Sequence, residues 1–319
     1  MKIVVLNGQK VNYDGLIDYQ TLGAAGDEVV VYDTCKSEEI LPRCEGAEVI
    51  VTKELVVTPE QIAQMPKSVK LICEAGTGYN NIPIPACREK GIMLCNIPAY
   101  SSQRVAHTAI MMLLGLSSNM QVQMRMLANK DRSNFTDKLS VSHTEVNGKT
   151  LGVVGAGNIG KTVIKIAKAL EMNVLVYTRT PRPDEDGVHY CSLDEVLANC
   201  DYLTLHCPLN DKTKHMINEE TIGKMKKTAC IINTGRGALI DEPALIKALK
   251  EGRLAGAGLD VQETEPPKQD NPLYDMPNVI LTPHMGWKGL ETRGRLLEIL
   301  KADIDGYRSG NMVNRVDNI

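Results

Sequence analysis

The chain has little of what marks a membrane-bound, exported or nucleic-acid-binding protein. No apolar run approaches the roughly 20 residues that span a bilayer, and MKIVVLNG enters an apolar strand pattern without a signal-peptide cleavage region. No block of Lys and Arg is present, and 36 basic against 39 acidic residues leave a formal net charge of -3. These absences predict a cytoplasmic protein that binds neither nucleic acid nor membrane.

Cysteine is present, but not in the spacings of a disulfide framework or a metal site. The nine cysteines run from Cys35 to Cys230, and none forms a C-x-x-C pair. An odd number of scattered thiols in apolar runs is typical of reduced packing residues. We therefore expect no metal site, and we interpret His143, His189 and His215 as surface or packing residues.

Short apolar runs alternate with helical patterns along the chain, which is typical of parallel sheets covered on both faces. Five runs precede residue 99: KIVVL, EVVVY, EVIVT, VKLIC and IMLC. Six follow from residue 151: LGVV, NVLVY, YLTL, ACII, GAGLD and NVILT. Because 319 residues favour two domains, we predict an α/β fold of two doubly wound parallel-sheet domains.

The helical segments carry their own signals. The segment after Ser101 is apolar over much of its circumference, so other elements or a second subunit should bury it. Ser192 and Glu195 predict a capping box at the start of a helix. The last helical pattern is amphipathic and should end at Gly310.

A glycine-rich turn stands between the run LGVV and an amphipathic helix. It reads Gly155-Ala156-Gly157-Asn158-Ile159-Gly160, a G-x-G-x-x-G pattern in its strand-to-helix context. The first glycine permits a tight turn, the second lets backbone approach a pyrophosphate, and the third allows close helix packing. The helix N-terminus adds partial positive charge. The pattern predicts a dinucleotide site formed by Gly155, Gly157, Asn158, Ile159 and Gly160.

The next strand, NVLVY, ends where a carboxylate would select NAD(H) by binding the adenosine ribose. Here the chain has Thr178-Arg179-Thr180 instead, with Arg182 close behind. A hydroxyl and a guanidinium can bind a 2'-phosphate, since arginine presents a fork of donors. We therefore favour NADP(H) over NAD(H), with stacking of Arg179 on adenine and dual use as alternatives.

Three later segments place charged or titratable residues at strand ends: INTGRGALID, GLDVQETEP and LTPHMGW. Three further segments are GAGNIG, GTGYNNI at 76–82 and CDYLTLHCPLNDKTKHMIN. In all six segments, the chain resembles the D-isomer-specific 2-hydroxyacid dehydrogenase family, and the resemblance extends from Lys53 to the closing helix. The resemblance implies an NAD(P)-dependent oxidoreductase. It also implies a flavodoxin-like substrate (lid) domain, 1–99 plus 290–319, around an inserted Rossmann NAD(P)-binding domain, 100–289, and a homodimer formed through the helix after Ser101.

The resemblance assigns roles to particular residues. Arg236 would bind the carboxylate and keto oxygen of the substrate, and His284 would be the general acid/base with Glu265 as its carboxylate partner. The loop Gly76, Thr77 and Gly78 would cradle the substrate carboxylate with backbone N–H groups. The remaining cofactor contacts would come from four residues: Cys207, Pro208, Thr234 and Asp260.

The substrate is expected to be a small 2-oxo acid. No cluster of Arg and Lys near the 76–82 loop suggests a phosphorylated substrate, and the ending PHMGWKGLETRGRLLEIL is similar to glycerate dehydrogenases and hydroxypyruvate reductases of the family. Hydroxypyruvate or glyoxylate is favoured. Two alternatives stay open: an NAD(H)-sensing regulatory protein of the same fold, and a dehydrogenase for pyruvate or a bulkier 2-oxo acid.

Overall fold

The computed structural model describes residues 1–136 and 138–317. The chain forms two compact units, one of Met1–Tyr100 and Lys288–Ile319, the other of Ser101–Trp287. Within the described residues, no helix is both long enough and apolar enough to cross a membrane.

The first unit contains a five-stranded parallel sheet in the order β2-β1-β3-β4-β5. Its strands are β1 (Lys2–Val5), β2 (Glu28–Val31), β3 (Val49–Thr52), β4 (Leu71–Glu74) and β5 (Met93–Cys95). Three short helices accompany it: α1 (Ile40–Arg43), α2 (Pro59–Gln64) and α3 (Ile84–Lys90). Branched side chains such as Ile50 and Ile72 are fully buried between sheet and helices. The carboxyl ends of β3 and β4 lie side by side, which brings Lys53 near the loop after Glu74.

The second unit contains a seven-stranded parallel sheet in the order β12-β11-β10-β9-β6-β7-β8. Its strands are β6 (Thr150–Val154), β7 (Asn173–Tyr177), β8 (Val188–Tyr190), β9 (Tyr202–Leu205), β10 (Cys230–Asn233), β11 (Gly256–Leu259) and β12 (Val279–Leu281). The order reverses direction at β6, between β7 and β9, which is the switch point where open α/β sheets bind ligands. The predicted fold class is confirmed.

Among its described residues, this unit has seven α-helices: α4 (Ser102–Ser117), α5 (Met120–Ala128), α6 (Ser133–Thr136), α7 (Asn158–Ala169), α8 (Leu193–Asn199), α9 (Glu219–Lys224) and α10 (Glu242–Lys250). Helix α4 packs against α7 and the strands β10 to β12. Small residues permit this approach, because a Cβ at Gly258 would lie 2.8 Å from the Cβ of Met112. Most of α4 is therefore buried inside its own unit, whereas Met111 and Leu114 stay exposed.

The chain returns to the first unit as α11 (Leu290–Ser309), which ends at Gly310 in the left-handed conformation. This confirms the predicted end of the final helix. Arg293 on α11 is almost fully buried and bonds both carboxylate oxygens of Asp14, at 2.7 and 2.6 Å. Its guanidinium also donates to the Val11 carbonyl. A buried charge with this many partners fixes α11 on its unit.

The predicted capping box at α8 is only half right. Ser192 does cap the helix, since its hydroxyl accepts a hydrogen bond from the Glu195 backbone N–H. The Glu195 carboxylate, however, lies 3.3 Å from Nε2 of His189 on β8. The Glu195 carboxylate therefore contacts an imidazole from β8 and not the Ser192 backbone N–H that a capping box would give it.

Candidate active site

The glycine-rich turn leaves β6 at the switch point and leads into α7. Gly155 has a φ of +97°, and a Cβ there would lie 2.8 Å from the His206 carbonyl oxygen. A Cβ at Gly160 would lie 2.1 Å from the Gly155 carbonyl oxygen. At Gly157, by contrast, a Cβ would meet nothing within 4 Å. Two glycines are thus required by the fold, and the middle one leaves space open in front of the helix N-terminus.

That space belongs to a cavity of about 790 Å³ within the second unit. Its lining includes six of the predicted cofactor residues: Gly155, Gly157, Thr178, Arg179, Cys207 and Pro208. Asn158, Ile159 and Gly160 form the first residues of α7. A cavity of this size can hold part of a dinucleotide, with the pyrophosphate at the N-terminus of α7.

The far end of the cavity is basic. Arg179, Thr180 and Arg182 line it after β7, and the stretch 178–182 contains no acidic residue. The Thr178 hydroxyl donates to the Thr180 carbonyl at 2.7 Å, which stabilises the turn that carries Arg179. The electrostatics at this end therefore suit an anionic group.

His206 lines the same cavity after β9. Part of the residue is exposed at the cavity wall, but protein surrounds the imidazole, and Nε2 lies 2.9 Å from the Thr204 hydroxyl. Desolvation by burial lowers the pKa of His206 to about 4. The ring is neutral at pH 7, so the glycine turn gains no charge from it.

The predicted acid/base pair is in hydrogen-bonding contact. Nδ1 of His284 lies 2.7 Å from Oε2 of Glu265. The other carboxylate oxygen, Oε1, accepts a hydrogen bond from the Gln262 N–H at 3.1 Å. With Nδ1 engaged by Glu265, Nε2 is the nitrogen that can exchange a proton with a ligand. His284 has a φ of +48°, an uncommon conformation that is often found at functional sites.

Asp260 fixes the loop that carries His284. Its buried carboxylate accepts hydrogen bonds from the Thr282 hydroxyl and from the backbone N–H groups of Met285 and Gly286. The His284 N–H donates to the Asp260 carbonyl at 2.8 Å. The residue expected to line the cofactor site therefore has its carboxylate committed to the loop, and its contact with a cofactor stays a prediction.

Thr234 follows β10, and its hydroxyl is buried without a hydrogen-bond partner among the described residues. An unsatisfied buried hydroxyl costs free energy unless a ligand or water completes it. The unpaired Thr234 hydroxyl supports the prediction that this residue contacts a bound cofactor.

Arg236 lies on a tight turn after β10. The Asn233 side chain holds the turn, since Nδ2 donates to the Arg236 carbonyl and Oδ1 accepts from the Gly235 N–H. A Cβ at Gly237 would lie 1.9 Å from the Gln262 carbonyl oxygen, so only glycine lets this turn approach the Glu265 loop. The exposed Arg236 guanidinium donates to the Gly235 carbonyl. The structure thus brings the loops of Arg236, Glu265 and His284 to one end of the sheet.

The Gly76–Thr77–Gly78 loop follows β4 in the first unit. The Thr77 hydroxyl donates to the Ile97 carbonyl, and the Asn96 side chain donates to the Thr77 carbonyl. The Ile97 N–H bonds the Gly76 carbonyl at 2.9 Å. These bonds anchor the loop by its carbonyl groups and by the Thr77 hydroxyl, and the Gly76 N–H donates to the Glu74 carbonyl at 2.8 Å.

Lys53 is a residue of this site that the motifs did not indicate. Its Nζ would lie 3.1 Å from a Cβ at Gly76 and forms an ion pair with Glu54 at 2.9 Å. Burial alone would lower the pKa of Lys53, but neighbouring Tyr100, Glu54 and Glu74 raise it overall, so the ammonium stays charged. A lysine directly after the buried run VIVT was the available signal.

Comparison with known proteins decides the family. The family model described as D-isomer specific 2-hydroxyacid dehydrogenase, NAD binding domain, matches residues 110–286. A hydroxypyruvate reductase of Blautia hydrogenotrophica is 37% identical, over 99% of this chain and 100% of its own. The chain belongs to the D-isomer-specific 2-hydroxyacid dehydrogenase family. It is an oxidoreductase whose second unit contains the nicotinamide-cofactor-binding domain of that family.

Two further matches extend along most of the dehydrogenase. A glyoxylate reductase of Korarchaeum cryptofilum is 33% identical over 86% of this chain and 85% of its own. A solved acyclic imino acid reductase in complex with NADPH and D-Arg has a TM-score of 0.86 and 28% identity, over 99% of this chain and 100% of its own.

Alanine at two glycines should separate cofactor binding from folding. We expect Gly157→Ala to weaken cofactor binding about tenfold or more, a loss of about 1.4 kcal/mol, because its methyl group enters the open space. Its thermal unfolding midpoint should stay that of the wild type. Gly160→Ala should lower that midpoint, since overpacking costs about 1–3 kcal/mol. Calorimetry and thermal denaturation measure both effects, and equal destabilisation by the two variants would contradict the assignment.

Proposed function

We propose that this dehydrogenase reduces hydroxypyruvate or glyoxylate to the corresponding D-2-hydroxy acid. The observation that carries the proposal is the 2.7 Å contact between His284 and Glu265, in the same unit as the glycine turn and its cavity. A bound nicotinamide supplies the hydride in such a reaction. The protein then has to orient a 2-oxo acid and deliver one proton to its keto oxygen.

The described residues divide these tasks. Nε2 of His284 donates the proton, while Glu265 holds the imidazole orientation through Nδ1 and stabilises its charge. Arg236 binds the substrate carboxylate and keto oxygen with the parallel N–H groups of its guanidinium. In the oxidation direction the same His284 atom accepts the hydroxyl proton.

The first unit offers groups suited to a small carboxylate. In the predicted loop of Gly76, Thr77 and Gly78, the backbone N–H groups of Thr77 and Gly78 can bind an anion, whereas the Gly76 N–H donates to the Glu74 carbonyl at 2.8 Å. The buried Lys53 ammonium, which is paired with Glu54, lies beside Gly76. The similarity to a hydroxypyruvate reductase and a glyoxylate reductase favours two- and three-carbon oxo acids.

A substrate panel tests the proposal. The loss of reduced-nicotinamide absorbance is followed with hydroxypyruvate, glyoxylate, pyruvate and phenylpyruvate at equal concentrations. We expect the highest kcat/KM with hydroxypyruvate or glyoxylate. Faster reduction of pyruvate or phenylpyruvate would overturn the substrate assignment, and measurable cofactor binding without turnover on any acid would indicate a sensor of the same fold.

We infer that the cofactor is NADP(H) in preference to NAD(H). The support is the basic end of the cavity, where Arg179 and Arg182 lie and the stretch 178–182 has no carboxylate. The similar imino acid reductase was solved with NADPH. Arg179 can form charge-assisted hydrogen bonds with a 2'-phosphate.

Arg179→Ala should therefore act selectively. We expect kcat/KM with NADPH to fall by about 10- to 100-fold, since a hydrogen bond to a charged group contributes about 1.5–3 kcal/mol. The value with NADH should change less than threefold. Steady-state kinetics with both cofactors measures the ratio, and equal losses would contradict a phosphate contact.

We also propose that the dehydrogenase is a homodimer. Apolar side chains remain exposed on and after α4: Met111, Leu114, Met120, Met124, Leu127 and Phe135. Exposed apolar side chains on two helices that contact each other, as α4 and α5 do, are typical of a subunit interface. Light scattering should give twice the 35.0 kDa mass of the chain, and the mass of a single chain would refute the dimer.

A further inference from the structure

Three side chains that can bind a transition-metal ion lie at one edge of the second unit's sheet. His189 lies on β8, Cys191 follows this strand directly, and Glu195 lies in the first turn of α8. One ligand atom from each lies within 4.8 Å of the other two. Nitrogen, sulfur and oxygen donors in this combination are ligands that Zn²⁺ accepts.

The local fold places the three groups together. Alternation along β8 directs residues two apart to the same face, so His189 and Cys191 share a side. The Cys191 N–H continues the pairing with β7 by bonding the Val176 carbonyl at 3.0 Å. The Ser192 cap then begins α8 and turns the chain, so that Glu195 faces back towards the strand. A solvent-open depression lined by 184–189 adjoins the group, so an ion can reach it from water.

A further carboxylate orients the imidazole. Nδ1 of His189 lies 2.7 Å from Oδ2 of Asp184, and Oδ1 of Asp184 accepts the Tyr190 N–H at 2.8 Å. Metal-bound histidines usually donate their second ring N–H to a carboxylate in this way. In the tautomer that carries its proton on Nδ1, the lone pair of Nε2 points towards Glu195 and can bind an ion.

The spacing of the nitrogen and oxygen donors fits a shared ion. Nε2 of His189 and Oε1 of Glu195 are 3.3 Å apart. Two ligands about 2.1 Å from a tetrahedral zinc lie about 3.4 Å from each other. A lone pair and a carboxylate at this distance repel each other unless a proton or a cation lies between them.

We propose that His189, Cys191 and Glu195 bind a zinc-class divalent ion, with water as the fourth ligand and Asp184 orienting the imidazole. On binding, the Cys191 thiol loses its proton to solvent and the thiolate becomes a ligand. The ion would link β8 to α8. These elements lie close in sequence to Arg182 and Leu193, and both of those residues line the cofactor cavity. This proposal departs from the expectation from sequence that the chain has no metal site, which rested on the absence of C-x-x-C.

Cobalt(II) is the direct probe, because a thiolate bound to Co²⁺ gives an intense charge-transfer absorption. The whole protein, kept reduced with a phosphine, is titrated with Co²⁺ and then with Zn²⁺. We expect one Co²⁺ per chain, a charge-transfer band, and displacement by Zn²⁺. Cys191→Ser should lose the band, whereas Cys35→Ser, a change at another partly exposed thiol, should keep it. Asp184→Asn should weaken binding by about 10- to 100-fold.

Folding is checked separately. The thermal unfolding midpoints of Cys191→Ser and of a second variant, His189→Gln, are measured with a chelator present and should match the wild type. Zinc should then raise the midpoint of the wild type and leave both variants unchanged. Absence of the cobalt band in the wild type would overturn the proposal and leave His189 as a salt-bridge partner of Asp184 and Glu195. A band that survives Cys191→Ser would overturn it as well, by placing the ion elsewhere.

Discussion

Replacing His284 with asparagine is expected to lower kcat by about 10²- to 10⁴-fold, the usual contribution of a general acid. The dissociation constant of the cofactor should change little, because His284 acts on the keto oxygen. Asparagine is chosen because it tolerates the positive φ of +48° at this position, so the backbone of the loop is preserved. Steady-state kinetics and calorimetric cofactor titration measure the two quantities.

A second histidine provides a matched control. Nε2 of His215 lies 2.6 Å from Oε1 of Glu263, and its φ is +51°. Like His284, it contacts a glutamate carboxylate and has a positive φ, but it has no proposed role in the reaction. We expect His215→Asn to keep kcat within about threefold of the wild type, well below the loss of a general acid. Equal kcat losses in both variants, or none in His284→Asn, would contradict the assignment.

Arg236→Lys is expected to lower kcat/KM for the oxo acid by about 10- to 100-fold. Lysine keeps the charge but loses the planar fork that bonds two oxygens at once, and a hydrogen bond to a charged group contributes about 1.5–3 kcal/mol. Cofactor affinity should stay unchanged, since Arg236 is proposed to contact only the substrate. Steady-state kinetics with hydroxypyruvate, together with cofactor titration, measures the effect.

The carboxylate contact itself can be isolated with oxalate, a small dicarboxylate without a reducible keto group. Its inhibition constant should rise in Arg236→Lys by at least tenfold, the equivalent of about 1.4 kcal/mol. In Arg253→Lys, where the guanidinium binds the Gly223 and Met225 carbonyls, the constant should stay at the wild-type value. Unchanged oxalate inhibition in Arg236→Lys would exclude the proposed role.

Regular strands and motif residues could be predicted from the sequence because they follow from local pattern. All eleven apolar runs became strands, and the glycine turn lies where β6 meets α7. The three residues of β8 were missed, since VHY follows an acidic loop and is too short to show alternation. Tertiary pairing with β7, through Val174 and Val188 among others, forms this edge strand.

Side-chain partners could not be predicted, because they depend on which loops meet. Nothing local indicates that the Asp260 carboxylate binds the N–H groups of Met285 and Gly286. The predicted partner of the Glu195 carboxylate was wrong for the same reason, because the carboxylate contacts a histidine on β8 and not the expected backbone N–H. The charge of Lys53 near Gly76 also appears only when β3 and β4 pair.

The configuration of the product is the most direct test of the proposed reaction. Hydroxypyruvate is reduced with NADPH in the presence of the purified dehydrogenase, and the glycerate formed is separated on a chiral column. We expect D-glycerate as the single product, formed at a rate that falls with His284→Asn. Formation of L-glycerate, or no glycerate despite measurable binding of NADPH, would contradict it.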